Sequence, residues 1–557
     1  MQLKSLSTLL IAFIVVFSFG SCKKKTNTQG RYIPENAVFV AHFNGESINA
    51  KLPWEEVKNN AAFKMAYADS SVNAIAKTAM DNPENTGIDV KADMILYVVK
   101  DSSGGYIGFQ GKVKDVAKFK SFYAEVLKNA TASQKDGVDY LTKERVSISW
   151  DKDKFIMVSD LPEMNKLKEL ETSNPFDSSY TPTPVISTRN TIATAAALYT
   201  LKEDKSLAKE ERFSKMVNDK ADIHFWVNAE ALYKDMPGME QFAMMNLSKL
   251  YEDSRMAASA NFENGQIKAD LVSYGGKEMT ELYKKYSGKS VDADMASQLP
   301  NKDVAVFFAM NFKPEGIKEF IKLTGMDGLI NMGIAMLGFN IDDFVKANKG
   351  DIMFSMYDFT TDSFGIAKPK VLFAASIGDK ASFDKLVAAG VKAGKNEPSA
   401  AEQISYTKND KYFVIGNDKA GSDGFINGKG GNKPSFWDKL KSGPIAGYVN
   451  LQVIMNSFKQ QAQQDSLGAE ALNASLKFWD DIIISGGQFK DGGLTQHFEV
   501  NLMDKSTNSL KQLNKYVDEL AIIAKKKEEN QGKVVSTDII AAPLDSTVTV
   551  DLAAPVK

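Results

Sequence analysis

Cysteine is almost missing from this chain: Cys22 is the only one in 557 residues. Disulfides are therefore excluded even where the compartment would permit them, and stability has to come from burial. With 43% hydrophobic residues the chain is long enough for two or more cores. Arginine is nearly as scarce. Of 68 Lys+Arg, only Arg31, Arg145, Arg189, Arg212 and Arg255 are arginine. Arginine is the favoured bidentate partner for phosphate and for guanine edges, and a formal charge of −2 gives no global steering, so no nucleic-acid partner is expected.

Catalytic signatures are missing too. The 3 histidines, His42, His224 and His497, form neither H-E-x-x-H nor a His-x-x-x-His pair. There is no Gly-x-Ser-x-Gly elbow. Gly390 to Asn396 resembles a phosphate loop only superficially: the glycine spacing is wrong, and the stretch ends a helix where such a loop would open one. Asp151-Lys152-Asp153 lacks the glycine and distal Glu of a calcium loop. The glycine-rich stretch from Gly421 to Gly431 reads as a mobile connector. Carboxylates are plentiful, but nothing in their spacing singles out a pair. No catalytic, metal-binding or cofactor-binding residue is assigned.

What is present begins at the first residues. Lys4 supplies positive charge, Leu9 to Phe17 an apolar core, and Gly20-Ser21 the small residues that precede Cys22. The apolar run is well short of the ~20 residues that span a bilayer, and no later segment reads as spanning. Residues 1–21 are expected to be a cleaved signal and Cys22 the site of lipid attachment, with residues 22–31 as a tether. Phe19-Gly20-Ser21-Cys22 resembles a lipobox, which implies a thioether-linked diacylglyceryl group on Cys22 and an acylated amino terminus. Two or more acyl chains anchor stably where one does not. The bilayer is thus one expected partner. Lys23 follows Cys22 where an inner-membrane retention Asp stands in some bacteria, and no acidic cluster follows, so the periplasmic face of the outer membrane is the expected location.

Four short phrases then organise the chain: Val40-Ala41-His42-Phe43-Asn44, His224-Phe225-Trp226-Val227-Asn228, Phe307-Phe308-Ala309-Met310-Asn311 and Ala446-Gly447-Tyr448-Val449-Asn450. Each reads as a buried strand closed by Asn, a residue suited to cap the helix that follows. In the third copy Pro314 can open the helix instead. Hairpins follow, with turns at Ser102 to Gly105, Asn264-Gly265 and Asp491-Gly492, and an amphipathic helix closes each unit. The order is β-α-β-β-α four times. The first and third copies carry an extra hairpin, around Asp151–Lys154 and Lys408–Lys411, which points to duplication of a two-unit block. The expected fold class is α+β with antiparallel sheets, in ferredoxin-like units; the rival is irregular α+β halves sharing one long antiparallel sheet. The halves are expected at 32–290 and 291–531, followed by a disordered tail at 532–557.

The lipobox, the opening Ile33-Pro34-x-x-Ala37 and the duplicated layout resemble domain of unknown function 4836, lipoproteins of diderm bacteria. The resemblance implies a role for Cys22 alone, since the family brings no catalytic motif. Repeat alignment sets His42 against Ala309, His224 against Ala446 and His497 near Asp270, so imidazole does not recur and all three are expected to be packed or edge residues. The stretch Gly328 to Phe339 is apolar almost all round and is expected to be a helix buried between two sheets. With the cluster Met236, Met239, Met244 and Met245 it offers the alternative of a soft surface for an apolar ligand. The leading functional expectation is a non-enzymatic envelope lipoprotein that binds or scaffolds an envelope protein, a glycan or an apolar ligand. The alternatives are a hydrolase of envelope polymers acting through carboxylates and a carrier of apolar ligands.

Overall fold

A computed structural model of the chain describes residues 29–162, 189–234, 246–300, 304–361, 367–394, 405–428, 434–440 and 443–535. The signal segment, Cys22, Lys23–Lys25, the methionine cluster 236–245 and the tail beyond 535 lie outside the described residues. The strands are β1 Ala37–Phe43, β2 Met94–Asp101, β3 Gly104–Lys112, β4 Thr131–Lys135, β5 Val138–Lys143, β6 Val146–Trp150, β7 Lys154–Asp160, β8 Ile223–Asn228 and β9 Arg255–Glu263. They continue with β10 Gln266–Tyr274, β11 Val304–Asn311, β12 Asn348–Thr361, β13 Ala367–Ile377, β14 Ser405–Lys408, β15 Tyr412–Gly416, β16 Ile445–Asn450, β17 Trp479–Lys490 and β18 Gly493–Leu502.

All of them belong to one 18-stranded antiparallel sheet. Its centre is the pairing of β10 with β18. Outward from β10 come β9, β8, β1, β2, β3 and β7; outward from β18 come β17, β16, β11, β12, β13 and β15. The same order of elements is met in both directions. β6, β5 and β4 extend one end and β14 the other. The rival expectation of one long shared antiparallel sheet describes this architecture. The ferredoxin-like unit does not: β1 and β2, although joined through helices, pair directly and antiparallel. A split β-α-β unit would set its two strands parallel, with a third between them.

Side chains alternate between the faces of a strand, and residues opposite one another in register share a face. One face carries two large cores. Trp226, Tyr97, Val40 and Phe213 belong to the first, and Phe307, Tyr357, Phe436 and Tyr448 to the second. The Phe213 ring stands edge-on to Trp226 at 5.7 Å, and Phe436 stacks on Tyr448 at 4.2 Å. Such ring pairs contribute ~1 kcal/mol beyond the area they bury. The opposite face is covered near its ends, where helix Val116–Val126 packs Phe119 against Phe155 and helix Lys380–Gly394 packs Phe383 against Phe413.

Asn44, Asn228 and Asn450 cap the helices after β1, β8 and β16, accepting from the amides of Ser47, Ala231 and Val453. After β11 Pro314 opens the helix, and Asn311 instead accepts from the Lys289 amide and donates to Asp351. At the Asp491-Gly492 turn both residues have positive φ, the type I′ conformation. At Asn264-Gly265 only the glycine does.

Four boundaries and placements differ from expectation. The fold begins inside the expected tether, for Gly30 is buried and Gln29 donates to Asp93. The final helix, Ser509–Val535, runs through Gly532 into the first residues of the expected tail, where no Pro stops it. Of the glycine-rich stretch expected as a connector, residues 421–426 belong to helix Lys419–Ile426, with Phe425 buried as its anchor, and residues 429–431 lie outside the described residues. The apolar helix Asp327–Met336 buries none of its residues: Met332 is 64% and Met336 78% exposed. Among the described residues no helix is long and apolar enough to cross a membrane.

Candidate functional site

The register gathers what the sequence scatters. His42 faces His224, His224 faces Ser259, Ser259 faces Asp270, Asp270 faces His497, and His497 faces Ser485. All three histidines thus share one cross-strand row over six adjacent strands. Beyond Ser485 the row continues through Ala446 and Ala309. It lies on the face that carries the two cores.

His42 and His224 are 3% and 0% exposed, and their Nδ1 atoms are 2.8 Å apart. One must donate and the other accept. His224 Nε2 lies 2.5 Å from Asp219 Oδ1. Burial pushes the Asp219 carboxyl up, but the bond from His224 and the Ala221 amide outweigh it and hold it below the usual carboxylate range. Asp219 is therefore the acceptor and His224 carries its proton on Nε2. In the neutral pair His42 Nδ1–H donates to His224, which leaves His42 Nε2 as a buried acceptor without a hydrogen-bond partner. One added proton gives that nitrogen a hydrogen to direct at Asp93 Oδ2, 3.6 Å away. A second would set two N–H groups against each other. The two facing Nδ1 atoms thus share one hydrogen bond.

At the centre of the row His497 Nδ1 bonds Asp270, and both side chains reach solvent. Asp–His–Ser order across Asp270, His497 and Ser485 is suggestive of nucleophilic catalysis, but no hydrogen bond joins Ser485 to His497, so the serine has no base. Among the described residues no group of three or more His, Cys, Asp or Glu is arranged to hold a metal ion. Buried carboxylates elsewhere are committed to cations. Asp222 takes Lys51, Ser47 and the Phe262 amide, Asp160 takes Arg189, and Asp481 takes Lys439.

The second feature is the opposite face. From the centre outward a single row reads Ala269, Phe498, Ile484, Gly447, Phe308, Phe354, Phe373 and Ile415. On the other side of the centre Phe39, Phe225, Val227 and Met256 share the same face. Phe308 and Phe373 are 38% and 36% exposed, and Phe225 and Met256 are as open. Where this face passes under helices Lys277–Tyr286 and Pro314–Leu323 there is a cleft of about 280 Å³, lined among others by Leu282, Tyr283, Met310, Ile317, Phe320 and Ile445. No sequence signal marked this face, because alternation shows that a strand has two faces and not which of them the helices leave open.

Fold and site together define an α+β protein on one antiparallel sheet, polar along one row and open and apolar behind it. The chain belongs to the family described as Domain of unknown function (DUF4836), whose model matches residues 30–414. Strands β16, β17 and β18 lie beyond that match. No curated relative matches the chain. Among solved structures it is similar to crystal form IV of TP0453 over 44% of this chain and 79% of that one, with 11% identity and a TM-score of 0.22. Crystal form I gives 46%, 81%, 11% and 0.24, and form III 47%, 87%, 11% and 0.23. Scores of that size do not define a common fold.

Proposed function

We propose that this protein is an exported lipoprotein, anchored through Cys22 on the periplasmic face of the outer membrane, whose sheet is a non-enzymatic binding surface for an apolar partner. The observation that carries the binding part is the open apolar face. Soluble proteins rarely leave contiguous apolar surface of this extent uncovered without a use for it. The anchoring part rests on the sequence around Cys22. The symmetric strand order supports the reading of a duplicated two-unit block, with halves at 32–290 and 291–531, so that one binding surface is built from both. A carboxylate hydrolase gains no support, since the buried acids named above are neutralised by lysine or arginine.

Two measurements test the two parts. Cys22→Ser is expected to abolish incorporation of a fatty-acid probe, because the thioether needs sulfur; a variant that still takes up label sinks the anchoring. Phe308→Ser with Phe373→Ser is expected to fold, since both rings are more than one third exposed, yet to fail to restore a deletion strain. Full restoration would show that the face binds nothing the cell needs.

A further inference from the structure

The cleft beneath helices Lys277–Tyr286 and Pro314–Leu323 has apolar walls and cationic surroundings. Lys313, one of its lining residues, donates from Nζ to the Lys285 carbonyl at 2.8 Å. Lys285 Nζ stands 5.0 Å from the ring centroid of Tyr286, another lining residue. Among the described residues neither ammonium group is ion-paired. Their neighbours differ: Lys284 pairs with Glu281, Lys318 with Asp342 and Lys322 with Glu319. Lys285 thus has only the Tyr286 side chain and the more distant charge of Glu319 beside it, and Lys313 only a carbonyl, so neither holds a carboxylate in direct contact.

We propose that this cleft binds a single-chain anionic amphiphile, with the acyl chain against Met310, Ile317 and Ile445 and the carboxylate between Lys285 and Lys313. The inference rests on reading the apolar face as a binding surface and names its ligand class at one place on it. The volume argues for one chain: about 280 Å³ lies at the small end of ligand clefts, which begin near ~300 Å³. Charge argues for an acid: an ammonium group without a carboxylate partner gains a charge-assisted hydrogen bond from a ligand that brings one.

The test uses the full lipoprotein in its own membrane. Cells are given a long-chain fatty acid carrying a diazirine and an alkyne, irradiated, and the adducts mapped by peptide mass. Adducts of free-acid mass are expected on the segments 310–320 and 444–445, apart from any label built into the lipid on Cys22. Ile317→Trp should block them by filling the cleft. Lys285→Gln with Lys313→Gln should lower them about tenfold, the loss of one charge-assisted hydrogen bond, with an unchanged melting temperature; this pair keeps the test alive if the tryptophan variant does not fold. A fatty alcohol with the same photoreactive group should label as weakly as the acid labels the lysine variant. Adducts of phospholipid mass, or labelling that ignores the lysines, would overturn the proposal. Adducts confined to Phe308 and Phe373 would overturn it while sparing the broader reading, and no adduct on either would remove both.

Discussion

Two strand pairs hold equivalent places on either side of the sheet's centre and solve them differently. In β1 and β8 the facing residues are His42 and His224; in β11 and β16 they are Ala309 and Ala446. Backbone pairing is the same, and both positions sit under a core. The fold therefore does not need imidazole there. What the first pair has is a set of neighbours that can receive it, with Asp219 on one side and Asp93 on the other. A buried polar pair is costly to break and nearly neutral to delete whole. That asymmetry gives the largest expected effect. His224→Ala should destabilise by about 3 kcal/mol, because it leaves a cavity and strands His42 Nδ1. His42→Ala with His224→Ala, which copies the other half, should cost clearly less than the sum of the two single changes. Chemical denaturation of the four proteins measures the coupling, and simple additivity would mean that the two rings do not act as a pair.

The sequence made each of these positions visible as a strand residue and none of them visible as a site. Strands, hairpins and caps are local, so hydrophobic alternation and Asn or Asp-Gly signals locate them. Asp136-Gly137 is a signal of the same kind, with both residues at positive φ in the turn between β4 and β5. The pairing of His42 with His224 spans 182 residues. It depends on which strands become neighbours and in what register, and no short-range pattern encodes that. The repeat alignment sets His497 near Asp270 as counterparts, and the contact those two residues make at the sheet's centre is a separate fact that it does not predict. The helix Asp327–Met336 fails for a related reason, since composition records that a segment is apolar and not what, if anything, packs on it.

The caps sharpen the comparison at smaller scale. Asn228 and Asn450 hold equivalent positions and make equivalent bonds, to Ala231 and Val453 at 2.9 and 3.0 Å. Each change to Ala should cost ~1 kcal/mol. Asn311→Ala should not follow the same rule, because its amide ties β11 to Asp351 and to Lys289 rather than to a helix. Thermal denaturation of the three variants would separate the cases: equal losses at 228 and 450 support shared capping, and unequal ones would give the fourth-copy Asn another role.

The smallest expected effect is a difference in acid stability between the protein and its double histidine variant. In the folded state Asp219 titrates below its ordinary value despite its burial, chiefly through the bond from His224. A carboxyl whose folded pKa is depressed contributes stability that is present above the unfolded value of about 3.9 and is lost as pH falls through the folded value. Removing both imidazoles takes away that bond while leaving the Ala221 amide in place, so part of the depression persists. Other carboxyls keep theirs: Asp101, held down by Arg189, lies far from the change in sequence and belongs to another ion pair. The acid limb should therefore survive in the variant but become shallower below about pH 4. Asp219 is half open to solvent, which keeps the difference small. Stability measured from about pH 2.5 to about pH 7 in both proteins, a range that brackets that unfolded value, would decide it. Curves of equal slope below about pH 4 would show that the His224 bond contributes nothing to holding Asp219 ionised.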